Sequence, residues 1–132
     1  MNEEVSFRIE SMSFWEQKNN PIVNKSKVFA LHIIDIYKYV ISEKREFVLS
    51  KQVLRSGTSI GANIREAQRG QSKADFFAKM NIALKEADET EYWLELLHEK
   101  EYLEDGLFTN IYKECEELIR MLVKILRNNY TK

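Results

Sequence analysis

The chain has 132 residues, of which 44% are hydrophobic and 31% are charged. This length gives room for one domain with one core, and the formal net charge of −1 leaves no overall excess to attract nucleic acid or a membrane. Glycine (4) and proline (1) are scarce, so turns are few and an all-α fold is favoured.

The compartment is predicted from the cysteine count and the hydropathy pattern. Cys115 is the single cysteine, which excludes an intramolecular disulfide and fits a reducing cytoplasm. The opening MNEEVSFRIESMSFWEQ carries acids where a signal peptide needs a basic start and an apolar run. No apolar run approaches the roughly 20 residues that span a bilayer. We therefore expect a cytoplasmic protein without membrane contact.

The N-terminal stretch lacks a clean hydrophobic period. Residues 1–23 are predicted to form an arm that docks on the bundle or on a neighbour, with Pro21 separating it from the bundle domain at 24–132. Helix one is predicted from about Asn24 to Glu46, with Asn24 or Ser26 as N-cap. Its apolar side chains fill an arc of roughly 160°: Phe29, Ala30, Ile33, Ile34, Ile36, Tyr37, Val40 and Ile41.

Three further helices are predicted. Helix two runs from the cap Ser50 to about Arg69, where Gly70 supplies a positive φ. Helix three follows a capping box, Ser72 to Asp75, and continues to about Glu101. Its main stripe is Phe76, Met80, Ala83, Leu84, Ala87, Thr90, Leu94 and Leu97. After a turn at Asp105-Gly106, helix four spans Leu107 to Asn128, with Phe108, Ile111, Cys115, Leu118, Ile119, Leu122, Ile125 and Leu126 inward.

Long helices with short connections predict an antiparallel, up-down-up-down four-helix bundle. Helix three also carries Ile82, Trp93 and Leu96, which fall about 100–160° from the centre of its main stripe. A monomeric bundle would leave these apolar side chains exposed to solvent, so we predict that they form an oligomer interface. The alternative is that Trp93 folds over the edge of its own bundle.

Residues 56–72, SGTSIGANIREAQRGQS, contain two glycines that suggest a phosphate loop. The spacing is neither GxxxxGK[ST] nor GxGxxG, and no strand precedes it. On a helix, Gly57 and Gly61 fall on or beside the buried face shared by Val53, Ile60, Ile64 and Ala67. We therefore predict that the two glycines allow another helix to approach closely.

A polar seam borders that buried face and consists of Ser56, Ser59, Asn63 and Glu66. In one interpretation the hydroxyls bond to the carbonyls of their own helix and Glu66 is exposed. In the other, Asn63 and Glu66 satisfy polar groups on a neighbouring helix or subunit and fix its register. Both interpretations stay open from the sequence.

The opposite side of helix two is basic. Residues 50–73 hold five basic residues and one acid, a net of +4, whereas residues 74–105 hold three basic residues and ten acids, a net of −7. The stripe is either a solvated face, a contact for the acidic helix of the next subunit in a head-to-tail ring, or a nucleic-acid site. Its candidate nucleic-acid contacts are Lys51, Arg55, Arg65 and Arg69.

The sequence gives little support for catalysis. Glu95 and His98 form the Glu-x-x-His pair of carboxylate-bridged di-iron bundles, but His32, the other histidine, has Phe29 three residues before it. The ligand set is therefore incomplete, and Glu91 does not complete it. We predict no catalytic residues, no metal and no cofactor.

One stretch resembles a known bacterial family, the four helix bundle proteins, also called 23S rRNA-intervening sequence proteins. It is SKQVLRSGTSIGANIREAQRGQSKADFFAKMNIALKEADETEYWLELL at 50–97, preceded by FALHIIDIYKYV, which fits the family's first helix. The family pattern S-I-x-x-N-I-x-E is here Ser59, Ile60, Asn63, Ile64 and Glu66. Two departures, Arg65-Glu66-Ala67 for the family's A-E-G and Glu86-Ala87 for Gly-Ser, place the chain in a subgroup.

The resemblance implies an antiparallel bundle that assembles as a homopentamer with a central channel and has no defined enzymatic activity. A related group, the accessory variability determinants of diversity-generating retroelements, forms similar pentamers with basic surfaces that bind a reverse transcriptase and nucleic acid. The net charge of −1 departs from that basic pattern. The hypotheses are thus a ring-forming scaffold or accessory protein, an RNA- or DNA-binding accessory factor, or a metal-dependent bundle enzyme.

Overall fold

The computed structural model describes residues 20–128, which form four α-helices and no strand. The helices are α1 (Pro21–Tyr39), α2 (Leu49–Ala67), α3 (Lys73–Glu99) and α4 (Asp105–Arg127). The predicted all-α class is therefore confirmed for this range. Residues 1–19 of the predicted arm lie outside the described residues, as do residues 129–132. None of the described helices is long and apolar enough to cross a membrane.

The first helix begins earlier than predicted. The side chain of Asn20 caps it, with Oδ1 accepting a hydrogen bond from the Ile22 amide at 3.2 Å, and Pro21 occupies the first turn. Proline suits this place because its fixed φ is helical and no amide hydrogen is needed there. The predicted caps Asn24 and Ser26 are wrong, since both lie inside α1, and the buried Ser26 hydroxyl donates to the Val23 carbonyl at 3.0 Å.

The connection between α1 and α2 also differs from the prediction. A π-helical turn, Val40–Lys44, extends α1, and Arg45 then takes a left-handed conformation with φ 56°. The Glu46 carboxylate next caps α2, accepting hydrogen bonds from the amides of Val48, Leu49 and Ser50 at 3.0, 2.9 and 2.8 Å. Ser50 is therefore not the N-cap. Its buried hydroxyl instead donates to the Glu46 carbonyl at 2.8 Å.

The connection between α2 and α3 is partly as predicted. The Ser72 hydroxyl accepts a hydrogen bond from the Asp75 amide at 3.1 Å, which confirms the predicted cap of α3. The positive φ predicted for Gly70 is wrong, since none of the described glycines has one. A Cβ added at Gly70 would lie 3.1 Å from the Ala67 carbonyl oxygen, so close packing in this turn favours glycine there.

The last connection lies two residues earlier in the chain than predicted. α3 ends at Glu99 rather than Glu101, and Glu101 is left-handed with φ 64°. α4 already begins at Asp105, so Gly106, expected in the turn before Leu107, lies in its first turn.

The core is built from one apolar stripe of each helix. α1 packs on α2 and α4, and α3 packs on the same two helices, so the four form a closed four-sided arrangement. Leu103, in the loop before α4, adds to the core. The buried hydrophobic residues of the helices and of the π-helical turn are Ile22, Phe29, Ile33, Ile36, Val40, Val53, Ile60, Ile64, Ala67, Met80, Ala83, Ala87, Leu94, Leu97, Ile111, Cys115, Leu118 and Leu122.

Candidate interaction site

The two glycines of α2 lie against α1. A Cβ added at Gly57 would be 2.9 Å from both Cγ atoms of Ile33, and one added at Gly61 would be 3.3 Å from the backbone oxygen of Ser26. Real Cβ contacts are essentially never as short as the first distance. Glycine at these positions therefore lets α1 and α2 approach closely.

The polar seam of α2 divides between the two interpretations that the sequence left open. The Ser59 hydroxyl donates to the Arg55 carbonyl at 2.6 Å, and the Asn63 amide donates to the Ser59 carbonyl at 2.9 Å, both within α2. Ser56 instead reaches α3, because its buried hydroxyl is hydrogen-bonded to that of Thr90 at 2.8 Å.

Glu66 is the second member of the seam that reaches α3. Its carboxylate pairs with the Lys79 ammonium at 3.2 Å. Asn63 does not share this contact with α3, since its side-chain amide donates to the Ser59 carbonyl of its own helix.

Arg55 does not contribute to a free basic stripe. Its guanidinium donates hydrogen bonds to Glu86 at 3.1 Å and to Glu89, so it joins α2 to α3. The bond from Arg55 lowers the pKa of the Glu89 carboxyl, against an opposing effect of burial. Trp93 donates a further hydrogen bond to Glu89 at 3.1 Å. As a candidate nucleic-acid contact, Arg55 is therefore already occupied by intramolecular partners.

The other predicted cations are available. Lys51, Arg65 and Arg69 are exposed and form no ion pair with any described residue. Arg65 lines a groove of about 410 Å³ between α1 and α2, together with Lys27. This groove was not predicted from the sequence, which pointed to Arg65 but not to the α1 residues that face it.

The predicted oligomer interface is exposed to different degrees. Ile82 is 43% exposed, whereas Trp93 and Leu96 are half-buried and Trp93 packs against the core. The largest apolar exposure on α3 belongs to Tyr92, at 55%, whose ring lies 5.3 Å from that of Trp93. Tyr92 was not among the predicted interface residues, although its position four residues before Leu96 places it near the same face.

A cluster of acidic side chains lies where α3 meets α4. It consists of Asp88, Glu91, Glu95 and Glu116, and none of the four forms an ion pair with a described residue. Burial, and then repulsion from the other three carboxylates, raises the pKa of Glu91. We call this region the acidic edge.

The sequence-predicted metal pair is engaged in other contacts. Glu95 accepts a hydrogen bond from the Tyr112 hydroxyl at 2.6 Å. His98 Nε2 lies 2.7 Å from Asp105 Oδ1, and its ring stacks on Phe108 with centroids 4.0 Å apart. Among residues 20–128 no group of three or more His, Cys, Asp or Glu side chains is arranged to hold a metal ion.

Two side-chain pairs join α1 to α4. Lys25 pairs with Glu117 at 2.7 Å, and His32 Nδ1 lies 2.8 Å from the nearer oxygen of Glu114. A smaller groove of about 260 Å³ lies beside these pairs and is partly lined by Val28, which is 47% exposed. His32 is thus occupied by a carboxylate of its own chain.

Over residues 20–128 the chain is an all-helical bundle of four helices, and the candidate interaction residues lie on its surface. The chain belongs to the 23S rRNA-intervening sequence protein family, whose model matches residues 18–124. This confirms the family resemblance at that level.

Comparison with solved structures agrees. A crystal structure of a protein with unknown function from the S23 ribosomal protein family of Bacteroides thetaiotaomicron VPI-5482 is 53% identical to this chain and has a TM-score of 0.79. The match covers 80% of this chain and 97% of that one. No curated protein matches the chain.

Proposed function

We propose that this protein is a non-catalytic, ring-forming helical bundle, assembled as a homopentamer, that serves as a cytoplasmic scaffold or accessory partner. The observation that carries the proposal is that large apolar side chains outside the core are exposed on the surface of the bundle. Leu31 on α1 is 52% exposed, and Ile82 and Tyr92 on α3 are 43% and 55% exposed. Exposed apolar patches of soluble proteins often mark protein-interaction sites. The number five rests on the family resemblance.

The proposed architecture has neighbouring helices running in opposite directions. Along α2 and α3, Glu66 pairs with Lys79 while the earlier Arg55 pairs with the later Glu86. Along α1 and α4, Lys25 pairs with Glu117 while the later His32 meets the earlier Glu114. Such reversed order supports an up-down-up-down bundle.

The absence of catalysis is also part of the proposal. Burial and nearby carboxylates raise the pKa of the Cys115 thiol, which disfavours the thiolate that a nucleophile requires. Its sulfur instead donates to the Ala87 carbonyl at 3.4 Å. Glu95 accepts a hydrogen bond from Tyr112 and His98 contacts Asp105, so the two side chains have separate partners within the chain. No cofactor is proposed.

Static light scattering coupled to size exclusion tests the assembly. We expect a mass close to five times the 15.7 kDa of the chain, independent of loading over a wide concentration range. A mass of 15.7 kDa at high concentration would contradict the proposal. A multiple other than five would retain the ring-forming function and correct its stoichiometry.

A second candidate function is binding of RNA or DNA. It is favoured by the exposed Lys51, Arg65 and Arg69, which have no ion-pair partner among the described residues. Contacts to phosphates release counterions, so binding would fall steeply as salt rises. A relation to retroelement accessory proteins would further predict a reverse transcriptase encoded beside this gene.

The nucleic-acid candidate is tested by titrating labelled RNA and DNA at low and high salt. The variant Arg65→Glu/Arg69→Glu should weaken binding by at least about tenfold and flatten the salt dependence. A suitable control is Lys38→Glu/Lys124→Glu, which makes the same charge change at exposed positions of α1 and α4. No shift of either probe by the wild type at low salt would remove this candidate.

A further inference from the structure

The groove between α1 and α2 differs from the other helix junctions in its charges. Arg55 and Lys79 of neighbouring helices are paired across α2 and α3, and Lys25 is paired across α1 and α4. In the α1–α2 groove, Lys27 and Arg65 both line the opening, and neither forms an ion pair with a described residue. The groove therefore presents two positive charges that the bundle itself does not neutralise.

The shape of this groove suits a helix surface. Its lining includes three small residues, Ala30 of α1 and Gly61 and Ala62 of α2. These residues leave an opening of about 410 Å³, enough for one large side chain with its neighbours. Glu66 lines the rim as well, but its carboxylate is taken by Lys79.

The acidic edge at α3 and α4 has the complementary character. Asp88, Glu91 and Glu95 lie four residues before, one before and three after Tyr92, so all four side chains project from one side of α3. Tyr92 is 55% exposed, and an exposed tyrosine is a frequent anchor of protein interfaces. The carboxylates have no cation to neutralise them among the described ion pairs.

One chain cannot join its own groove to its own acidic edge. α1 and α3 each contact α2 and α4, so the α1–α2 junction and the α3–α4 junction lie on opposite sides of the bundle. A contact between the two surfaces therefore requires a second copy. Because the two surfaces differ, such a contact would be head-to-tail, and its repetition would build a ring or a filament.

We propose that the α1–α2 groove, with Lys27 and Arg65, receives the acidic edge and Tyr92 of the next copy of this chain. The inference rests on the proposed self-assembly and specifies the surfaces that produce it. A second copy is favoured over an unrelated acidic partner because both halves of the contact are present on every chain. The two unpaired cations of one half also meet the surplus acids of the other.

The test uses two variants that each destroy one half. The groove variant is Lys27→Ala/Arg65→Ala, with Lys38→Ala/Lys124→Ala as its charge-matched control. The edge variant is Asp88→Lys/Tyr92→Lys, with Glu43→Lys/Val48→Lys as its control. Every side chain changed in the four variants is exposed, so helical circular dichroism should not change.

Each variant alone should fall to the 15.7 kDa of a single chain, while both controls keep the wild-type mass. An equal mixture of the groove and edge variants should give twice 15.7 kDa and nothing larger, because one intact groove and one intact edge remain. Such a terminated pair is specific to a head-to-tail contact between unlike surfaces.

The remaining outcomes overturn the inference. If the wild type assembles and both variants keep its mass, this pairing of surfaces is wrong while the proposed assembly stands. If the variants are single chains that do not combine, the contact joins like surfaces. If the groove variant keeps its mass but no longer shifts labelled RNA, the groove binds nucleic acid. A wild type that is itself monomeric refutes the proposed function first.

Discussion

α3 meets its two neighbours across seams of different chemistry. Towards α2, a buried hydrogen bond joins Ser56 to Thr90, and Arg55 holds both Glu86 and Glu89. Towards α4, the acidic edge gathers four carboxylates without an ion pair to any described residue. The carboxylates of α3 are therefore paired with a cation on the side of α2, whereas negative charge is in excess on the side of α4.

This difference between the two junctions follows from the charge asymmetry between the basic α2 and the acidic α3. The basic α2 neutralises only the acids of α3 that face it, and those on the α4 side remain uncompensated. The opposite pKa changes of two nearby carboxyls record the contrast, since the pKa of Glu89 is lowered and that of Glu91 is raised. The α2–α3 junction pairs its charges within the chain, whereas the carboxylates of the acidic edge form no ion pair with a described residue.

The largest expected effect comes from the buried bond of the α2–α3 seam. Thr90→Val keeps the shape but removes the hydroxyl that is bonded to Ser56 at 2.8 Å. A buried polar group left without its partner costs about 1–3 kcal/mol, so the free energy of unfolding in urea should fall by that amount. Ser56→Ala/Thr90→Val removes both groups and should recover part of the loss. Equal stability of Thr90→Val and wild type would show that the bond contributes nothing.

A smaller effect is expected from the ion pairs of the same seam. Arg55→Met keeps much of the side chain's apolar length but leaves Glu86 and Glu89 without their shared cation. Because the Arg55 side chain is 51% exposed, solvent screens the pairs, and we expect a loss of about 1 kcal/mol or less. The loss should shrink in high salt, whereas the loss in Thr90→Val should not. A salt-independent loss in Arg55→Met would point to packing instead of charge.

The two seams were not equally predictable from the sequence. Helix identities and core stripes followed from periodicity, since a period near 3.6 residues fixes which side chains face inward. Net charges of +4 and −7 also followed from counting. The assignment of Arg55 to Glu86 and Glu89 did not, because it depends on the register between α2 and α3. That register comes from three-dimensional packing and has no local signature.

Helix ends were the other weak point, for a related reason. The cap of α2 is the Glu46 carboxylate, which accepts hydrogen bonds from three amides and follows the left-handed Arg45. The sequence pattern favoured Ser50, a common capping residue. Pro21 was interpreted as a separator, although Asn20-Pro21 is a strong helix start. Tyr92 was missed although the helical period places it roughly opposite the buried stripe of α3.

The contrast between the α2–α3 junction and the acidic edge can be measured as the pH dependence of the free energy of unfolding. Glu89 has a lowered pKa, so its charged form stabilises the fold above the ordinary value of 4.5, and this contribution is lost as pH falls through the lowered pKa. Glu89→Gln should therefore cost stability at neutral pH, by roughly half a kcal/mol for a partly exposed pair. The cost should vanish in acid. A cost that persists well below pH 4 would mean that Glu89 acts through its hydrogen-bonding shape rather than its charge.

The smallest effect is expected at the acidic edge, and its sign is reversed. Burial and then the neighbouring carboxylates raise the pKa of Glu91, so its protonated form is favoured by folding below the ordinary value of 4.5. That contribution is lost as pH rises through the raised pKa, and at neutral pH the charged Glu91 destabilises the isolated chain. Glu91→Gln should then be more stable than wild type at pH 7 by a few tenths of a kcal/mol, with the gain fading in acid. The measurement belongs in the monomeric groove variant, because in an assembly the cations of the next copy would reverse the sign. A destabilised Glu91→Gln in that monomer would show that the edge is already neutralised within one chain.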